Sequence, residues 1–106
     1  MAFQRVAAVQ LHMTFRPSPD VVAQRIGAEV VLVNLQTNQI YELNRTGARL
    51  WELVTAGHDR GELQQQLQAE FDVDEAALTA EIDAFLTALE REQLVTVLEA
   101  VPDERE

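Results

Sequence analysis

The chain has 106 residues, a formal net charge of −10, 47% apolar residues and no cysteine. That length suits one domain with a single modest core, and the lack of cysteine excludes thiolate catalysis, zinc–thiolate sites and disulfides. No apolar run approaches the roughly 20 residues of a membrane helix, and Met1-Ala-Phe-Gln-Arg5 lacks the basic start and apolar centre of a secretion signal, so a cytoplasmic location is expected.

Up to Leu50 there are five arginines against three acids, a balance of +2; from Trp51 onward there are three arginines against fifteen acids, a balance of −12. Phosphate neutralisation dominates nucleic-acid affinity, so such a surface suits DNA or RNA poorly. It suits a basic peptide better, and it equally suits a solvated face kept soluble by charge.

Residues 9–16 alternate strictly, placing Val9, Leu11, Met13 and Phe15 on one face of a strand. Pro17-Ser-Pro19 stops it, because proline cannot donate to a ladder and restricts the residue before it. A second strand is expected over residues 20–26, and Gly27-Ala28 turns the chain into a third over residues 29–35. That strand is rich in β-branched residues and apolar on both faces, with Val31, Val33 and Leu35 on one and Val30 and Leu32 on the other. The turn Gln36-Thr-Asn-Gln39, with Asn38 able to accept a left-handed conformation, leads to a short strand over residues 39–43. The middle strand of such a meander is central, so residues 39–43 fall at an edge. Helices cover one face of the sheet. The other face needs the apolar side of residues 9–15, or a homodimer contact.

Asn44 reads as the N-cap of a helix over residues 45–56 carrying Leu50, Trp51, Leu53 and Val54, closed by Gly57. Asp59 with Glu62 forms a capping-box pattern for a second helix, whose stripe is Leu63, Leu67 and Phe71. Asp72-Val-Asp-Glu75 opens a third with negative charge at its positive end. Leu78, Ile82, Phe85, Leu86 and Leu89 give that helix one core face, beside a stripe of Ala77, Glu81, Ala84 and Ala88 that lets another backbone approach or packs on the first helix. A short strand over residues 95–98 is placed to return to the sheet.

Little here supports catalysis. His12 and His58 stand alone, no pair has metal-ligand spacing, and no glycine-rich loop precedes a helix. Asp72, Asp74 and Glu75 lack the glycine and terminal glutamate of a calcium loop. No cofactor or metal is expected, and binding is the better class. An edge strand leaves N–H and C=O groups unpaired, a template for a peptide from outside. Trp51 continues an apolar stripe and belongs to the core, whereas Tyr41 can pack inward or line a peptide groove.

Tyr41-Glu-Leu-Asn44 running into Thr46-Gly-Ala-Arg-Leu-Trp51, the Gly57 stop, and Phe85-Leu86-x-x-Leu89 followed by Leu94-Val95 together resemble the PqqD family, over roughly residues 20–98. That family gives its name to the recognition elements of ribosomally made, post-translationally modified peptides (RiPPs). The stand-alone proteins of lasso-peptide pathways are the most similar type.

The resemblance implies an α+β, winged helix-turn-helix fold: a three-stranded antiparallel sheet, then a three-helix bundle, to which the alternating residues 9–16 add an extra N-terminal strand outside the family core. Residues 1–19 would be that strand and its proline-containing linker, 20–98 the peptide-binding domain, and 99–106 an acidic tail. A precursor's leader segment would add as a strand to Gln39, Ile40, Tyr41, Glu42 and Leu43, its side chains entering a cleft walled by Leu78, Glu81, Ile82 and Phe85. Glu42, Glu81 and Asp83 would attract a basic leader. The partner would be a modifying enzyme or leader peptidase, with neither nucleic acid nor membrane. Two alternatives are a DNA-binding winged helix reading with residues 74–92, and a non-catalytic scaffold subunit whose edge is covered by its own terminus.

Overall fold

The computed structural model of the chain describes residues 13–98. The elements run β1 (Thr14–Pro17), β2 (Val21–Ile26), β3 (Glu29–Asn34), β4 (Gln39–Leu43), α1 (Arg45–Thr55), α2 (Arg60–Glu70), α3 (Glu75–Arg91) and β5 (Val95–Leu98). Strands β2, β3 and β4 form the expected antiparallel meander, in the order β2-β3-β4. The α+β architecture inferred from the sequence is the one observed.

Local chemistry sets most of the boundaries. Gly27 at φ 64° closes the two-residue β2–β3 turn, and Asn38 at φ 62° takes the left-handed position in the β3–β4 turn. Asn44 accepts a hydrogen bond from the Gly47 N–H at the start of α1. Asp59 and Glu62 form a complete capping box on α2, and Asp74 accepts from the Ala77 N–H on α3. Gly57, at φ 96°, follows the Ala56 cap of α1 in a conformation that a side chain would strain.

One face of the sheet, with Val30 and Leu32 at its centre, packs on the helices. The core gathers Leu50, Trp51, Leu53 and Val54 of α1, Leu63 and Leu67 of α2, and Leu78, Ile82, Leu86 and Leu89 of α3. Burying each such side chain stabilises the fold by roughly 1.5–3 kcal/mol. Phe71 caps α2 and is only partly buried against this cluster.

The N-terminal strand departs from expectation. Residues 9–12 lie outside the described residues, and the observed strand is Thr14–Pro17, with Pro17 in its last position opposite Val95. A strand end is where a missing donor costs least. Met13 and Phe15 are buried as the alternation requires. However, β1 packs on α1 and pairs with β5, so β5 completes a separate two-stranded ribbon instead of rejoining the meander. Neither strand covers the outer face of the meander, where Val22, Ile26 and Ile40 remain 50%, 59% and 66% exposed.

Two polar ties hold the layers in place. Asn34, 1% exposed, ends β3. Its Oδ1 accepts from the N–H groups of Gln36 and Thr37, at 2.9 and 3.4 Å, while its Nδ2 donates to the carbonyls of Glu92 and Gln93, at 3.3 and 3.4 Å. One side chain thus joins the β3–β4 turn to the end of α3. At the opposite end of the sheet, Arg49 pairs with Glu52 and Glu70, and Arg25 pairs with Glu52, linking β2, α1 and α2. The hydrogen bonds from Arg49 hold the Glu70 carboxyl below its ordinary range, against the opposing effect of burial.

Asn34→Ala strands two N–H groups and two carbonyls, and is expected to lower unfolding free energy by roughly 2–3 kcal/mol in urea titrations. Because the Glu70 pKa is depressed on folding, its contribution is present above the unfolded value and is lost as pH falls through the folded one. Glu70→Gln is therefore expected to lower the melting temperature at neutral pH, modestly because the pair is about one-third exposed, and to match the parent protein at strongly acid pH.

Candidate functional site

The register of the meander fixes which edge groups are free. The two-residue turn closes on the pair Ile26 and Glu29, which in such a hairpin exchange both hydrogen bonds. Main-chain groups of Glu29, Val31 and Val33 therefore point to β2, and the Leu35 N–H bond to the Asp20 carbonyl keeps that phase. The alternate residues Val30, Leu32 and Asn34 point to β4, opposite Leu43, Tyr41 and Gln39. The N–H and C=O groups of Ile40 and Glu42 consequently point away from the sheet. No described strand pairs with them.

The same phase sends the Tyr41 and Leu43 side chains toward the helices. Beside them runs a groove of about 390 Å³, lined by β4 from Ile40 to Leu43 and by Phe85, Ala88, Leu89, Glu92 and Leu94. The Phe85 ring reaches back toward the start of α1, where a Cβ on Gly47 would lie 3.4 Å from it. Most of the groove wall is apolar. Across one end, the Tyr41 hydroxyl donates to Glu92 Oε1 at 2.9 Å, joining β4 to the end of α3. Partial burial, reinforced by the hydrogen bond to this carboxylate and by its charge, pushes the Tyr41 phenol above its ordinary range.

Of the residues singled out in the sequence, Gln39, Ile40, Tyr41, Glu42 and Leu43 form β4, and Phe85 lies in the groove wall. The rest of the expected wall is elsewhere. Leu78 and Ile82, 2% and 0% exposed, lie one to two turns nearer the start of α3 and do not line the groove. Glu81 is exposed outside the groove, and Asp83 accepts from the Nε of buried Arg60 at 2.7 Å, tying α3 to α2. Ala88, Leu89, Glu92 and Leu94 take their place. In the sequence Leu89 and Leu94 are core and motif positions, and Glu92 stands in a run of charges with no signal to separate it. Trp51, 6% exposed, is core as expected.

Among the described residues no group of His, Asp and Glu side chains is arranged to hold a metal, and no helix is long and apolar enough to cross a membrane. Tyr41 is the chain's only tyrosine, so its phenolate absorbance can be followed alone. Its titration midpoint is expected above the ordinary value of about 10, and is expected to fall in Glu92→Gln, which removes the neighbouring charge. The raised pKa adds stability below the unfolded value, and this is lost as pH climbs through the folded one.

The chain matches the family described as coenzyme PQQ synthesis protein D (PqqD) over residues 29–95. No curated protein sequence is significantly similar. Among solved structures, TbiB1 in complex with the TbiA(beta) leader peptide is similar at 30% identity and a TM-score of 0.72, over 86% of this chain and 99% of that one. A lasso peptide synthetase B1 complexed with the leader peptide shares the fold at 23% identity and a TM-score of 0.71, over 77% of this chain and 96% of that one. The matched span contains the edge strand, the three helices and the groove between them: the chain belongs to the PqqD family.

Proposed function

We propose that this protein binds the leader segment of a ribosomally synthesised precursor peptide by strand addition to Gln39–Leu43, and presents it to a modifying enzyme or leader peptidase without catalysing a reaction itself. The observation that carries this reading is the pair of outward-facing main-chain positions, Ile40 and Glu42, beside a mostly apolar groove. Such an edge supplies affinity with little demand on sequence, while the groove receives alternate side chains of the added strand. The similarity to TbiB1, known with a leader peptide bound, supports the same class of ligand.

The scaffold alternative required the edge to be covered by the chain's own terminus. The described part of that terminus instead pairs with β5, away from β4. A winged helix reading DNA would use α3, where Glu75, Glu81, Asp83 and Glu90 oppose a phosphate backbone and Arg91 alone would attract it. Both readings therefore have less support than leader binding.

The direct test is an amide NMR titration with the leader of the precursor peptide encoded beside this chain, and with a scrambled leader as control. Saturable shifts are expected in Gln39–Leu43, Phe85, Ala88 and Glu92. No shifts, or equal shifts with the scrambled peptide, would sink the proposal. Glu42→Pro removes an outward donor and is expected to weaken leader binding at least about tenfold while leaving the fold intact. Tyr41→Pro removes a bond of the β3–β4 ladder and is expected to destabilise the sheet itself.

A further inference from the structure

Glu92 is the one charged side chain that the end of α3 contributes to the groove wall, and two separate contacts fix it there. Buried Asn34 holds its carbonyl through Nδ2, and the Tyr41 hydroxyl holds Oε1. Among the described residues the other carboxylate oxygen meets Arg91 Nε alone, at 3.7 Å, from a side chain that is 68% exposed. Glu42 is the second acid of the groove, and no cation lines it. A strand laid along β4 would remove water from this carboxylate. A desolvated carboxylate whose close donor is one neutral hydroxyl, with its cation loose at 3.7 Å, is costly unless the incoming strand supplies another donor.

We infer that Glu92 is a specificity-determining residue of the groove, selecting a peptide with an arginine or lysine at the position on the groove-facing side of the added strand that lies beside Tyr41 and Glu92. This rests on the strand-addition reading and narrows it. The main chain of β4 sets where the peptide lies, and the Glu92 carboxylate sets which residue is accepted at one place along it. The net charge of −10 favours the same sign of partner at long range. Glu92 contributes a short-range preference at a single position.

The test uses a displayed library of random peptides of about ten residues, the span of a strand somewhat longer than β4. It is selected in parallel on the parent protein, Glu92→Gln and Glu92→Arg, each first checked for folding by circular dichroism and melting temperature. Enrichment of arginine or lysine at one position is expected on the parent, its loss on Glu92→Gln, and aspartate or glutamate at that position on Glu92→Arg. Replacing the selected basic residue by glutamine is expected to weaken binding about fivefold on the parent and not on Glu92→Gln. Should Glu92→Arg fail to fold, Glu92→Gln still decides the matter, because its amide oxygen keeps an acceptor for Tyr41 and only the charge is lost. A purely structural tie between Tyr41 and Glu92 would leave the enriched motif unchanged across the three proteins, which overturns the inference and leaves strand addition standing. No enrichment on the parent protein would overturn both.

Discussion

The buried side chain of Asn34 is the constraint on which the geometry of this protein turns. A fully buried amide in an apolar core costs free energy unless both its ends are satisfied. Asn34 meets that condition by binding two N–H groups of the β3–β4 turn and two carbonyls at the end of α3. Hydrophobic packing alone would let the helix slide or rotate on the sheet at little cost, since leucines and valines are non-directional partners. The amide bonds are directional. They place the end of α3 beside the start of β4, and the groove is the space left between the two.

Among the described residues the β4 edge has no covering strand, for a separate reason. A three-stranded meander has two edges, and a fold that must remain unaggregated normally blunts or covers them. Among the described strands outside the meander, β1 and β5 pair with each other, and β1 lies on α1, where its Phe15 and the preceding Met13 fill the core. The edge at β4 is short, and the acid Glu42 sits within it. A short edge with a negative charge discourages indiscriminate pairing between copies of so acidic a chain, yet accepts a strand of suitable charge and side-chain pattern.

Much of this was legible in the sequence, because much of it is local. The turns at Gly27 and Asn38, the caps at Asn44, Asp59 and Asp74 and the stop at Gly57 each follow from a residue's own conformational and hydrogen-bonding habits. The β4 half of the groove was legible for the same reason. The helical half was not. Periodicity identifies which face of α3 is buried but carries no information about where along its axis the strand crosses, so Leu78 and Ile82 were as eligible as Ala88 and Glu92. That position depends on Asn34, and an asparagine at the end of an apolar run reads as ordinary turn chemistry until its burial is seen. The partner of β5 was equally hidden, because a four-residue strand has no local mark for its neighbour.

On the proposed reading, strand addition and groove chemistry would divide the work of recognition between them. Main-chain bonds to Ile40 and Glu42 are available to almost any extended peptide, so they cannot by themselves distinguish one from another. Discrimination must come from what is lost when the wrong side chain meets the groove. An apolar wall penalises a misplaced residue only weakly, about in proportion to area left unburied. On that reading the Glu92 carboxylate would penalise the wrong partner more sharply, because a strand that covered it without supplying a further donor would leave it with only the Tyr41 hydroxyl and the exposed Arg91. Asn34 ties the β3–β4 turn to the end of α3 and also holds the Glu92 carbonyl, so the groove and the selectivity proposed for it would rest on the same buried asparagine.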